Sequence, residues 1–101
     1  MVKGTPRIVW TKMAQSHLKQ VFEHIGADSP QNALKVVTDI TDTVEKAAEY
    51  PDAYAPDKLK LENDGTFRAF EKHHYRVSYR YAKGVLRVLR IRHTKMKPKY
   101  H

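Results

Sequence analysis

The chain has 101 residues, 41% of them hydrophobic and none of them cysteine, with a formal net charge of +8. That length supports one modest core between two layers of structure, so a single domain over 1–101 is expected, and the missing cysteines exclude a disulfide framework, a thiolate zinc site and a cysteine nucleophile. No apolar run approaches the ~18 residues that cross a bilayer and Met1-Val2-Lys3-Gly4-Thr5-Pro6 has no signal-type stretch, which predicts a cytoplasmic protein with no membrane partner.

Arg7-Ile8-Val9-Trp10 suits a first strand, and Thr11 can cap the helix that follows. There Ala14, Leu18, Val21, Phe22 and Ile25 recur at three- and four-residue spacings, the mark of one helical face, until Gly26-Ala27-Asp28 ends it. Ser29-Pro30 opens a second helix, because the serine oxygen accepts a free backbone N–H and proline fits the first helical position. Its inner face reads Ala33, Val37, Ile40, Val44 and Ala47/Ala48, and after Glu49 the chain meets Pro51. Two such helices joined by a few residues form an antiparallel hairpin whose apolar side needs a sheet to cover.

Residues 50–66, with Pro51, Pro56 and Asn63-Asp64-Gly65, read as an irregular, mobile connection with at most a short extended piece around Leu59–Leu61. After Gly65 the period becomes two. Phe67 to Phe70 alternate, and Tyr75, Val77, Tyr79 and Tyr81 alternate with His74, Arg76, Ser78 and Arg80. Ala82-Lys83-Gly84 turns the chain into a last strand, Val85 to His93, apolar on both faces as a central strand is. The expected class is α+β: an N-terminal strand and an antiparallel helical hairpin packed on a twisted, mainly antiparallel sheet of about four strands.

The charge is divided along the chain. Residues 1–65 hold 8 Lys/Arg against 10 Asp/Glu, a net of −2, whereas residues 66–101 hold 11 against the single Glu71, a net of +10. Such segregation points to a polyanionic partner, whether nucleic acid or an acidic protein segment, although a solvated charged face has the same composition. If the helices cover the tyrosine face, the opposite face presents Arg76 and Arg80, with Arg68 beside them if the register permits; planar guanidinium forks on a rigid sheet bind phosphate well. His73 and His74 on a strand would point apart, and His17 and His24 lie about 10 Å apart along a helix, so neither pair predicts a metal site, and no cofactor is expected. The ending Arg90-Ile91-Arg92-His93-Thr94-Lys95-Met96-Lys97-Pro98-Lys99-Tyr100-His101 adds a basic tail, in which Arg90, Arg92, Lys95, Lys97 and Lys99 join Arg80 as candidate nucleic-acid contacts. Metal-free RNA cleavage needs a base for the 2′-hydroxyl, cations for the phosphate and an acid for the leaving oxygen, and His93 and Tyr100 are residue types suited to proton transfer. A frayed basic tail is the competing reading of Tyr100 and His101.

Nearly the whole chain resembles the RelE/ParE superfamily of bacterial toxins. The resemblance rests on Val9-Trp10-Thr11, Asp28-Ser29-Pro30, Tyr50-Pro51, Phe67-Arg68-Ala69-Phe70, His74-Tyr75-Arg76-Val77-Ser78-Tyr79 and Leu89-Arg90-Ile91-Arg92-His93-Thr94, in that order. It implies a helical hairpin on an antiparallel sheet, and a separately encoded antitoxin that wraps and neutralises the toxin. RelE-like members cut mRNA on the ribosome without metal. By that likeness Arg76 would stabilise the phosphate, Arg68 would assist, His93 would transfer the proton, and Tyr100 would stack or act as an acid. ParE-like members poison DNA gyrase by binding, and the Arg92-His93-Thr94 ending looks at least as much like theirs; the chain also lacks the lysine pair that some ribosome-dependent nucleases carry beside Arg68. A nontoxic basic binding domain is the third possibility.

Overall fold

The structure is a computed structural model and describes residues 7–101. Met1–Pro6, on which the signal-peptide reading falls, lie outside the described residues. The chain runs β1 (Arg7–Trp10), α1 (Lys12–Gly26), α2 (Pro30–Glu49), a 3-10 turn (Pro51–Ala53), β2 (Phe67–Lys72), β3 (Tyr75–Ala82) and β4 (Val85–His93). The sheet order is β1-β4-β3-β2, with β1 parallel to β4 and the other pairs antiparallel, so the expected α+β class holds and β4 is central.

Local chemistry sets the helix starts. Thr11 Oγ1 accepts the Ala14 N–H at 3.1 Å and Ser29 Oγ accepts the Asn32 N–H at 3.1 Å, each satisfying a donor that the first helical turn leaves free. Thr11 Oγ1 also lies 2.9 Å from the Val88 carbonyl as donor, which pins the start of α1 to β4.

The helical hairpin covers the sheet face that carries Tyr75, Val77 and Tyr79 of β3 with Leu86, Val88 and Ile91 of β4, and these residues share one core with Ile40, Val44 and Ala47 of α2. The buried stripe of α2 includes Val36 and Thr43, whereas Val37 is only half-buried: spacing alone allows either valine, and the way α2 seats on the sheet covers Val36. Phe22, expected on the inner face of α1, is 43% exposed. Phe22 and Val37 line an apolar groove with Trp10 and Leu18 on the outside of the hairpin.

Both β-hairpins turn through two left-handed residues, His73 and His74 (φ 50° and 66°) and Lys83 and Gly84 (φ 52° and 74°), the backbone that matches the right-handed twist of paired strands. His74 therefore belongs to a turn rather than to the Arg76 face of β3, and His73 Nε2 lies 2.6 Å from Asp39 Oδ2 on α2.

The 50–66 connection is more organised than its composition suggests. The Asp57 N–H donates to the Phe67 carbonyl at 2.9 Å and the Ala69 N–H to the Ala55 carbonyl at 3.3 Å, so residues 55–57 lie along the otherwise free edge of β2. Leu59–Leu61, where a short extended piece was expected, is a turn, and the extended contact lies instead at Pro56 beside Arg68; the turn still holds the far end of the chain, the Leu61 N–H donating to the His101 carbonyl at 2.7 Å and the His101 N–H to the Leu59 carbonyl at 3.0 Å.

Candidate functional site

One unpaired residue determines which side chains reach the sheet face away from the helices. Ser78 pairs with Arg90 and Tyr79 with Val88, leaving Leu89 opposite no residue, a β-bulge in β4. Before the bulge Leu86 and Val88 face the core; after it Ile91 does, and Arg90 and Arg92 are turned to the other face, alongside Ser78 and Arg76. Strict alternation would have driven both arginines into the helical core, since a shift of one residue exchanges the two faces of a strand.

That second face is covered too. Residues 97–101 cross it as a strap. Arg90 donates to the Lys99 carbonyl and Arg92 to the Lys97 carbonyl, the latter at 3.4 Å. The strap ends on Asp57, whose side chain is fully buried: Oδ1 accepts from Arg76 at 2.7 Å and from the Leu59 N–H at 3.0 Å, and Oδ2 lies 2.8 Å from His101 Nε2. Burial alone would raise the pKa of this carboxyl, but the hydrogen bonds from Arg76, His101 and Leu59 outweigh it and hold the value at about 2. Asp57 therefore joins three separate segments, the connection, β3 and the strap. It was missed in the sequence because nothing local sets it apart from the other aspartates of the connection.

The candidate residues fall into two groups on opposite sides of the sheet. Arg76, Arg80, Arg90 and Arg92 share the strap side. Arg68 pairs with Tyr79 and so points to the helix side, where it donates to the Tyr54 carbonyl at 2.6 Å and meets Asp52 at 3.3 Å. The register thus does not permit the arrangement with Arg68 beside Arg76. His93 pairs with Tyr75 and also belongs to the helix side; its ring packs edge-on against Tyr75 at 5.0 Å. Its Nδ1 accepts the Lys95 N–H at 3.1 Å, so the neutral ring carries its proton on Nε2 and offers a donor there, not a base. Tyr100 is 59% exposed on the strap, and Lys95, Lys97 and Lys99 are exposed.

On the helix side α1 completes what β1 leaves open. Because β1 pairs only with Val85–Val88, the rest of β4 has a free edge, and His17 Nδ1 accepts the Ile91 N–H there at 3.0 Å. Burial first, then the charges of Arg92, Arg90 and Lys99, push the His17 pKa below its ordinary value, keeping the ring neutral and able to accept.

The charge division along the sequence is partly cancelled in space. Asp52, Asp57 and Asp64 of the connection meet Arg68, Arg76 and Arg80 respectively, at 3.3, 2.7 and 3.6 Å. Among the described residues, Arg90, Arg92, Lys95, Lys97 and Lys99 make no such pair. Lys72, Lys83 and Arg87 make none either, so five of the eight unpaired cations of residues 66–101 lie along the end of β4 and the strap.

Residues 8–98 match the family model described as the ParE toxin of type II toxin–antitoxin system, parDE. The fold is similar to a chain in the chromosomal ParDE toxin–antitoxin system from P. aeruginosa, at 21% identity over 90% of this chain and 98% of that one, with a TM-score of 0.69. It is also similar to a chain in the toxin–antitoxin complex RelBE2 from Mycobacterium tuberculosis, at 16% identity over 89% and 99% of the two chains, with a TM-score of 0.57. Curated proteins give no sequence match.

Proposed function

The chain belongs to the ParE toxin family of type II toxin–antitoxin systems, and from that premise we propose that it arrests growth by binding DNA gyrase, without cutting RNA. The observation that carries this reading is the strand register, which sets Arg76 and His93 on opposite faces of the sheet. A metal-free nuclease needs its base and its phosphate cation on one phosphodiester. Arg76 is in addition engaged by a buried carboxylate, and the His93 nitrogen that a base would use carries a proton. Arg68, the third member of the RelE-like set, ties the Asp52–Tyr54 segment to β2.

The surface assigned to the target is the basic strap, where Lys95, Lys97 and Lys99 stand beside the exposed side chains of Met96 and Tyr100, with Arg92 behind them. Apolar side chains among unpaired cations suit an acidic protein surface. The natural partner in this reading is a cognate antitoxin that wraps and neutralises the toxin; both structural neighbours come from toxin–antitoxin systems, and the groove of Trp10, Leu18, Phe22 and Val37 offers an apolar seat for one of its segments. The work belongs in the cytoplasm, where gyrase is, and no helix among the described residues is long and apolar enough to cross a membrane.

The test is a tightly controlled induction, with mRNA 5′ ends, DNA supercoiling and double-strand breaks measured within minutes. Intact mRNA with damaged DNA is the expected result, and replacing Lys95, Lys97 and Lys99 together by Ala should weaken it. New mRNA ends that vanish when ribosomes are kept off the message would replace this reading with the RelE-like nuclease and return Arg76, Arg68, His93 and Tyr100 to a catalytic role. Normal growth with a soluble, folded product would leave a nontoxic basic binding domain.

A further inference from the structure

Between the strap and the sheet lies a cavity of about 150 Å³, far above the ~10–15 Å³ that one water molecule needs. Arg76, Ser78, Arg90 and Arg92 line it from the sheet, with His93 at the end of β4 bordering it, and Lys97 and Lys99 line it from the strap. Two of the sheet residues have buried polar atoms that the protein leaves without a partner. Ser78 is 1% exposed and its Oγ has no partner; the Arg76 Nε is buried without one, although the other end of that guanidinium holds Asp57. Arg90 is 6% exposed, its partner is the neutral Lys99 carbonyl, and among the described residues it meets no carboxylate.

The acidic groups that face this cluster are few. Asp57 is shared between Arg76 and His101, and Glu71 lies 3.5 Å from Arg76. Lys58 of the connection adds a further cation at the rim. A buried guanidinium that makes no direct ion pair is costly, as for Arg90, which feels Asp57 only at a distance while Arg76 and His101 hold it, and so is a buried donor without an acceptor. The partner these groups require is acceptor-only, negatively charged and small, with several oxygens that fit guanidinium forks. We propose that this cavity binds an oxyanion of phosphate size, either free inorganic phosphate or the phosphate group of a nucleotide, and that the bound anion fastens the strap to the sheet. The site requires no toxic activity and so does not rest on the gyrase reading; from Arg76 it uses the free Nε, while the other end stays on Asp57.

The test is thermal unfolding of the full chain in chloride and in about 10 mM inorganic phosphate at matched ionic strength. Phosphate should raise Tm by about 5 °C or more, as an anion bound well above its Kd does for a chain of this size. Hydrogen exchange at the His101 and Leu61 amides should slow with it, which a general salt effect would not single out. Arg92→Gln and Ser78→Ala should each remove most of the shift. Ser78→Ala should fold as well as wild type in chloride, because it deletes a hydroxyl that has no partner, and it keeps the test valid if an arginine variant fails to fold. Equal Tm in phosphate and chloride would overturn the proposal, as would a shift undiminished in both variants or one reproduced by acetate. A nucleoside monophosphate that shifts Tm more than phosphate would assign the site to nucleotides; a shift with inorganic phosphate alone would assign it to the free anion.

Discussion

The two faces of the sheet are buried by different means. On one, the helical hairpin seals Tyr75, Val77, Tyr79, Leu86, Val88 and Ile91 with aliphatic side chains. On the other, a strap and a loop close over arginines by ion pairs and backbone carbonyls around Asp57. Apolar burial is non-directional and itself indifferent to pH, so the first face depends mainly on volume, with His17 at its edge adding a pH-sensitive contact. The second depends on every donor meeting an acceptor, and on the ionisation of single groups. The cations left over on that second face make it the part of the molecule able to recognise something.

Five measurements would break or sharpen this contrast. Ile40→Ala should have the largest effect, about 2–5 kcal/mol in urea unfolding, because Ile40 is fully buried against the sheet and the cavity left behind cannot fully collapse. Asp57→Ala should follow at about 3 kcal/mol by the same method, since it strands Arg76 and releases the strap. A loss below about 0.5 kcal/mol, the size of an ordinary surface change, would mean that the strap rests on the sheet without holding it.

The pH dependence separates the faces further. With its folded pKa at about 2 against an ordinary carboxyl value, Asp57 stabilises the fold fully above about pH 4 and loses that contribution as pH falls through 2. The amount is on the order of 2 kcal/mol, and Ile40→Ala should keep this acid limb while Asp57→Asn flattens it.

A smaller slope should come from His17. Its folded pKa lies below the unfolded value of about 6.5, so neutral His17 favours the fold above that pH, and the contribution is lost as pH falls from there through the folded value. Stability curves for wild type and His17→Gln between pH 7.5 and 5.5 should differ in slope, with wild type falling faster toward acid; parallel curves would remove His17 from the account. Smallest of all, Tyr79→Phe should be neutral or stabilising by up to about 1 kcal/mol, because the buried Tyr79 hydroxyl has no partner and its pKa is pushed up to about 12 by burial. A clear destabilisation would show that the hydroxyl is hydrogen-bonded in solution.

Much of the first face was legible in the sequence. Thr11 and Ser29-Pro30 announce helix starts through hydrogen bonds to residues three positions away, and period two from Tyr75 to Tyr81 marks a strand with one apolar side. These are local signals, written in neighbouring residues, and they sufficed for the order of elements and for the family resemblance. Val36 against Val37 was not legible, because either valine continues the apolar pattern and only the fit of α2 on the sheet selects between them.

The second face was decided by the tertiary structure. Which way Arg90 and Arg92 point depends on the unpaired Leu89, and whether Arg68 can join Arg76 depends on a register that strand composition does not encode. Asp57 meets Arg76 and His101 across separations of 19 and 44 residues, and only the packed chain brings those charges together. The sequence by itself determined the elements, the family and the concentration of positive charge in the last third. The assembled sheet determined which of those charges are neutralised and which remain free, because pairing between distant side chains is settled by register and packing, not by spacing along the chain.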